Sequence, residues 1–215
     1  MVVPLKPLAR AKSRLGRAVG LERPRLALAF AQDTVSAALS CPAVRDVVVV
    51  TDDPVAASAL AALGARAVAD VPAAGLNAAL EHGARAVRER RPAAAVAALN
   101  ADLPALRPAE LARVLDFSAA FPRAFVTDAQ GIGTTFLSAA PGVELRPAFG
   151  GPSRARHRAS GAVEVPAGGL DSVRRDVDTG EDLRVALELG VGRWTAALCP
   201  APASAGEGRG VPGGQ

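Results

Sequence analysis

The sequence predicts an α/β fold with a mostly parallel sheet, and three observations carry that expectation. Short apolar runs alternate with alanine-rich stretches of helical spacing, the order expected of βα units. Half of the 215 residues are hydrophobic but only 3% are aromatic, so the core must be layered from Ala, Val and Leu. Four successive valines at 47–50 form a run that is apolar on both faces, as in a strand covered from both sides. This length is ample for one domain, placed at residues 1–199. Residues 200–215 hold too little apolar surface to offset their ordering entropy and are expected to form a disordered tail.

Taken in order, residues 2–5 form a first strand that runs straight into a basic loop. Pro24 opens a helix to about Leu39, with Leu28, Ala31, Val35, Ala38 and Leu39 on one face. The valine run places a strand at 46–51. A helix at 54–63, stopped by Gly64, leads to a strand at 65–68. Residues 76–90 are helical and 93–99 form another buried strand. Beyond Arg123 the texture changes to short strands at 124–127 and 134–138 separated by glycines, then a basic, turn-rich stretch at 149–158. A strand at 173–177 and a helix at 181–189 close the domain.

The chain has two lysines against 23 arginines, and both lysines, Lys6 and Lys12, lie in the loop after the first strand. A compact ammonium differs most from a planar guanidinium at a crowded polyphosphate, which makes polyphosphate the first expectation for a ligand. Asp102 follows a fully apolar strand at its carboxyl end, the edge at which open α/β sheets bind ligands. A carboxylate there either caps the next turn or holds a divalent cation that bridges phosphate oxygens. Asp176 and Asp178 sit one residue apart, on one face of an extended segment. Asp178 is placed to cap the last helix, and Asp176 to take a metal.

Two stretches have the composition of ligand loops. Residues 128–135 put two glycines and two threonines between strands, either as a simple hairpin or as an anion-binding turn. In residues 149–158, Pro152 and Ser153 begin a helix whose N–H groups, with Ser153, suit a phosphate or carboxylate, and three arginines follow within five residues. His157 has no nucleophile near it in sequence and reads as a positioning or surface residue.

Composition also excludes classes. The net charge of +4 comes with 21 acids interleaved among the arginines, tyrosine is absent and Trp194 is the single tryptophan, so nucleic acid is not the expected partner. Cys41 and Cys199 are too few for a disulfide framework or a zinc site. With no leader-like segment and no long apolar span, the expectation is a soluble cytoplasmic protein without a membrane partner. A homodimer is expected only because symmetric dimers are common.

The motifs PLKPLARAKSRL, LNAAL, ADLPAL, FVTDAQGIGT, FGGPSRARHRASGA, RRDVDT and EDL occur in a single order. In that order, over residues 2–198, the chain resembles the 2-phospho-L-lactate guanylyltransferase family. The resemblance implies a three-layer α/β/α nucleotidyltransferase fold of glycosyltransferase-A type. It also implies the condensation of GTP with a three-carbon phospho-acid, a step in making coenzyme F420. That acid is phosphoenolpyruvate in bacterial members, and the alternatives are 2-phospho-L-lactate and 3-phosphoglycerate. A molybdopterin or sugar nucleotidyltransferase of the same fold normally carries a glycine-rich first loop, which Pro4-Leu5-Lys6-Pro7 lacks. A non-catalytic nucleotide-binding regulator is the reading from another class.

Carried over by position, the resemblance puts Lys6, Lys12 and Arg14 on the GTP phosphates as nucleotide-binding and catalytic groups. It puts Asp102 and Asp176 on Mg²⁺, with Asp178 as a helper. Thr134, Gly150 and Ser153 hold phosphoenolpyruvate, and Asn77 lies by the guanine. The sequence departs from the family pattern at Ala101, Ile132, Gly151-Pro152 and Gly180, and none of these departures removes a charged or hydroxyl group.

Overall fold

The computed structural model describes residues 1–10, 23–71 and 73–200. Lys12, Arg14 and, apart from Pro200, the expected tail lie outside the described residues. Among the described residues seven strands form one sheet: β1 (Val2–Pro4), β2 (Val48–Val50), β3 (Arg66–Val68), β4 (Val96–Leu99), β5 (Arg123–Thr127), β6 (Thr134–Ala139) and β7 (Val163–Glu164), in the order β3-β2-β1-β4-β6-β5-β7. Neighbours pair in parallel except along β6, which runs antiparallel to both β4 and β5. The sheet is thus mixed but mostly parallel, as the alternation of apolar runs and helices predicts.

The helices are α1 (Arg23–Leu39), α2 (Pro54–Ala61), α3 (Leu76–Arg90), α4 (Pro108–Ser118), α5 (Ser153–Ala159), α6 (Asp171–Arg174), α7 (Gly180–Leu189) and α8 (Arg193–Leu198). Strand alternation sorts the core into two layers. Val3, Val49, Ala97, Leu99 and Val126 pack against Ala31, Val35 and Ala38 of α1 and Leu111 and Val114 of α4. Val2, Val48, Val50, Ala98 and Phe125 pack against Ala79, Leu80, Ala84 and Val87 of α3 on the other face. The result is an α/β/α stack. Of the six phenylalanines, Phe30, Phe125 and Phe136 are fully buried, each contributing roughly 2–3 kcal/mol to an otherwise small-residue core.

Local signals explain several boundaries. Pro24 and Pro54 open α1 and α2 at positions where a missing N–H is harmless. Asp53 caps α2 through Val55 and Ala56. Thr179 and Asp182 form a reciprocal capping box at α7, so Thr179, and not Asp178, is the cap. The expected strand at 173–177 is replaced by α6 and an extended stretch behind it. Its backbone groups are engaged elsewhere: the Arg174 N–H donates to the Leu170 carbonyl at 3.2 Å, the Arg174 carbonyl accepts from the Ala129 N–H at 2.8 Å, and the Val177 N–H donates to the Asp102 carbonyl at 3.0 Å. Three elements, α4, α8 and β7, have no counterpart in the sequence reading.

Candidate active site

After β1 the sheet grows outward through β2 and β3, and the chain then returns to lay β4 on the other side of β1. The carboxyl ends of β1 and β4 therefore diverge at a topological switch point, where open sheets bind ligands. The start of the antiparallel β6 falls at the same edge, since the Asn100 N–H donates to the Thr135 carbonyl at 2.9 Å. A cavity of about 600 Å³ opens there. Lys6, Asp102, Thr134, Gly150, Ser153, Asp176 and Asp178 all line it, though they come from widely separated parts of the chain.

The acidic wall is fixed by main-chain contacts. Thr34 of α1, fully buried, accepts from the Leu103 N–H at 3.0 Å and donates to the carbonyls of Phe30 and Ala101. Both neighbours of Asp102 are thereby anchored. The Val177 bond to the Asp102 carbonyl draws the second acidic segment alongside, and the Val177 side chain is fully buried between Asp176 and Asp178. Asp176 and Asp178 thus flank a buried residue in a segment outside the sheet, and both line the cavity. Glu110 holds the far end through the Ser172 N–H and hydroxyl, at 2.8 and 2.7 Å. Among the described residues no group of three or more His, Cys, Asp or Glu forms a metal cage of protein ligands alone.

The opposite wall is built from neutral donors. Thr134 and Ser153 touch through their hydroxyls at 3.0 Å, and the Thr134 hydroxyl also meets His157 Nδ1 at 3.0 Å. His157 is fully buried, against the expectation that admitted a surface role. Its Nε2 accepts from the Ala148 N–H at 2.9 Å. Burial, then the nearby charges of Arg123 and Arg156, lower its pKa to about 4, so the imidazole is neutral at physiological pH. Asn77 clamps the adjoining loop, accepting from the Phe149 N–H at 2.8 Å and donating to its carbonyl at 3.2 Å. Leu76 lines the cavity, and Asn77 beside it, expected near the guanine, holds the Phe149–Gly150 loop at the cavity edge. Gly150 follows at φ +92°, a left-handed conformation that a side chain would strain.

Residues 128–133 form the hairpin turn between β5 and β6, and several of them line the cavity. Asp128 accepts from the Ile132 and Gly133 N–H groups at 2.9 and 2.8 Å. A Cβ on Gly133 would lie 2.4 Å from the Asp128 carboxylate, so a side chain there would displace that carboxylate from the turn.

The described basic residues near the cavity divide into one on its rim and three that brace a loop. Lys6 is exposed on the cavity rim just past β1, whose ladder is prolonged by the Leu5 N–H to the Val50 carbonyl at 2.9 Å. Asp53 fixes the loop beyond by accepting from the Leu8 N–H at 2.9 Å. Burial alone would raise the Asp53 pKa, but its three backbone N–H donors hold it below the ordinary value. The three arginines of the 154–158 segment are engaged with protein groups. Arg154 pairs with Glu164 at 3.0 Å and the Gly131 carbonyl at 3.1 Å, Arg156 holds the carbonyls of Ala148 and Gly150, and Arg158 pairs with Glu164. They brace the ligand loop. Among the described lining residues Lys6 is the one cation.

Sequence reasoning did not find Thr34, Glu110 or the structural role of Asp128. Asp128 stands five residues before Gly133 in a glycine turn, a signal that was available. Thr34 and Glu110 act on segments more than 60 residues away and leave no local signature.

The fold and its acid- and hydroxyl-lined edge define a nucleotidyltransferase of the three-layer α/β/α class. A nucleotidyl transferase from Methanothermobacter thermautotroptrophicus superposes with a TM-score of 0.58 at 24% identity, covering 88% of this chain and 97% of that one. The family model described as guanylyl transferase CofC like matches residues 1–192, and the chain belongs to that family. Phosphoenolpyruvate guanylyltransferases are among its relatives: that of Streptomyces coelicolor is 70% identical over 92% of this chain and 94% of the relative, and that of Streptomyces avermitilis 69% identical over 94% and 96%.

Proposed function

We propose that this protein condenses GTP with phosphoenolpyruvate, giving enolpyruvoyl-2-diphospho-5'-guanosine and pyrophosphate, as a step toward coenzyme F420. The observation that carries the reading is the convergence of Lys6, the Asp102 and Asp176 carboxylates and the Thr134–Ser153 hydroxyls on one cavity at the switch point. The names and high identity of the relatives support phosphoenolpyruvate as the acceptor.

A phosphate oxygen of the acid attacks the α-phosphorus of GTP in line. The bond from that phosphorus to the bridging oxygen of the β-phosphate breaks, and pyrophosphate carries away the electron pair. Phosphate oxygens are nucleophilic at neutral pH, so no protein base is required; His157 has both ring nitrogens engaged and serves none. Lys6, with Lys12 and Arg14 by family position, offsets charge on the leaving pyrophosphate. Thr134, Ser153 and the Gly150 loop orient the acid, and holding both anions in register removes much of the entropic barrier.

Asp102 and Asp176 would offer oxygen ligands to a hard divalent cation, Mg²⁺ by preference: both line the cavity with Asp178, and the Val177 N–H bond to the Asp102 carbonyl ties their two segments together. When bound there, the ion supplies charge neutralisation across the reacting phosphates. The protein is read as cytoplasmic; no helix among its described residues is long and apolar enough to cross a membrane.

The test is pyrophosphate release from GTP and Mg²⁺ with phosphoenolpyruvate, 2-phospho-L-lactate or 3-phosphoglycerate, with ATP and CTP in place of GTP as controls. Release with GTP and phosphoenolpyruvate is expected. Release with another acid alone reassigns the acceptor, and silence with all three leaves nucleotide binding without catalysis.

A further inference from the structure

His157 is buried, neutral and unused by the chemistry above, yet it sits directly behind the two hydroxyls that face the acid. A main-chain N–H can only donate, so the 2.9 Å contact from Ala148 makes His157 Nε2 an acceptor. A neutral imidazole carries one ring proton, and that proton is therefore on Nδ1. At 3.0 Å, Nδ1–H donates to Thr134 Oγ1, which also shares a 3.0 Å contact with Ser153 Oγ.

Counting hydrogens decides what the pair shows to a ligand. Thr134 and Ser153 have two hydroxyl hydrogens, and one lies between their oxygens. With His157 donating, the second is left free for the cavity that both residues line, from Thr134 if Ser153 donates to it, or from Ser153 if Thr134 does. With the opposite tautomer, Thr134 would donate to Nδ1 and Ser153 to Thr134, leaving only lone pairs toward an anion.

We propose that His157 is a positioning residue for the acceptor acid: held as its Nδ1–H tautomer, it leaves the Thr134–Ser153 pair one hydroxyl hydrogen to donate to an anionic oxygen of the acid. The inference rests on the guanylyl-transfer reading and adds to it a group that touches no substrate. The groups around the ring agree. Phe125 and Phe149 pack on it with centroids at 5.8 and 5.2 Å, and Arg123 and Arg156 are the charges that act on it, both opposing its protonation.

Two variants separate the donor from the packing. His157→Gln places an amide oxygen near the Nε2 position, keeping the Ala148 bond but losing the donor to Thr134. His157→Asn places its amide N–H near the Nδ1 position, keeping that donor. His157→Gln is expected to raise the KM for the acid about 10- to 100-fold, the range for losing a hydrogen bond to a charged group, with the KM for GTP within about twofold. His157→Asn is expected to recover most of the loss. Nitrogen-15 spectra of the wild-type protein are expected to show a protonated Nδ1 and a bare Nε2 between pH 5.5 and 8. A protonated Nε2, or an active His157→Gln enzyme with an unchanged acid KM, overturns the proposal, and the spectrum decides even if both variants fail to fold. A wild-type protein silent with every phospho-acid removes the parent reading and this one together. An active wild type with an indifferent His157→Gln variant removes this one alone.

Discussion

Replacing Thr34 by valine isolates the contact that holds the Asp102 turn. The two side chains have nearly the same shape, so no cavity opens at this fully buried position. What is lost is the hydroxyl that accepts from the Leu103 N–H at 3.0 Å and donates toward Ala101 at 3.3 Å. Leu103 is also fully buried, so its N–H finds no water, and a buried unpaired donor costs about 1–3 kcal/mol. Taking ~2 kcal/mol, and ~2–4 °C per kcal/mol for a domain of this size, Tm falls by about 4–8 °C. Because the hydroxyl grips both neighbours of Asp102, kcat is expected to fall about tenfold through misplacement of that carboxylate. Thermal melts and pyrophosphate-release assays on Thr34→Val and Thr34→Ser check this. The serine variant keeps the hydroxyl and loses one buried methyl, about 1 kcal/mol, with kcat near wild type. A valine variant as stable and active as wild type would refute the anchoring role of Thr34.

Asp102→Asn is expected to retain the fold and lose at least ~100-fold in turnover, in the range of one missing electrostatic transition-state contact; near-normal kcat would remove Asp102 from the site. Gly133→Ala forces a Cβ against Asp128 and breaks at least one of its charge-assisted bonds, so urea titration should show a loss of about 2 kcal/mol. His157 stays neutral in the fold down to about pH 4, whereas its unfolded value is 6.5. Between those values the unfolded chain takes a proton that the fold refuses, so stability falls as pH drops from 6.5 to 4, by about 2 kcal/mol from this residue. Urea titrations of wild type and His157→Asn across that window should diverge by this amount, and parallel curves would contradict it.

Much of the fold was legible because its signals are local. The helix predicted at 76–90 is α3, since Ala79, Leu80, Ala84 and Val87 keep one stripe buried throughout. The four valines mark β2 because a parallel strand covered on both faces has no polar side to show. The stretch at 173–177 misled for a physical reason. Val173 and Val177 are both buried, but one belongs to a short helix and the other to an unpaired extended segment, and their spacing cannot tell these from a strand. Asp102 and Lys6 could be placed because each stands at a strand's carboxyl end. The arginines at 154, 156 and 158 could not, because charge does not say whether the partner is a ligand or a protein group such as Glu164 or the Ala148 carbonyl. The hold of Asn77 on Phe149 spans 72 residues and arises only when α3 and the 149–153 loop meet.

Guanylyl transfer by attack of the acid's own phosphate is tested most directly by phosphorus-31 NMR of one reaction containing GTP, Mg²⁺ and phosphoenolpyruvate labelled with oxygen-18 in its phosphate. A new diphosphate that keeps the label, linking the acid's phosphorus to the α-phosphorus of GTP, together with unlabelled pyrophosphate, is the expected result. Label in pyrophosphate or in free orthophosphate would mean that the acid gives up its phosphoryl group, and would contradict the reading of this cavity as a guanylyltransferase site.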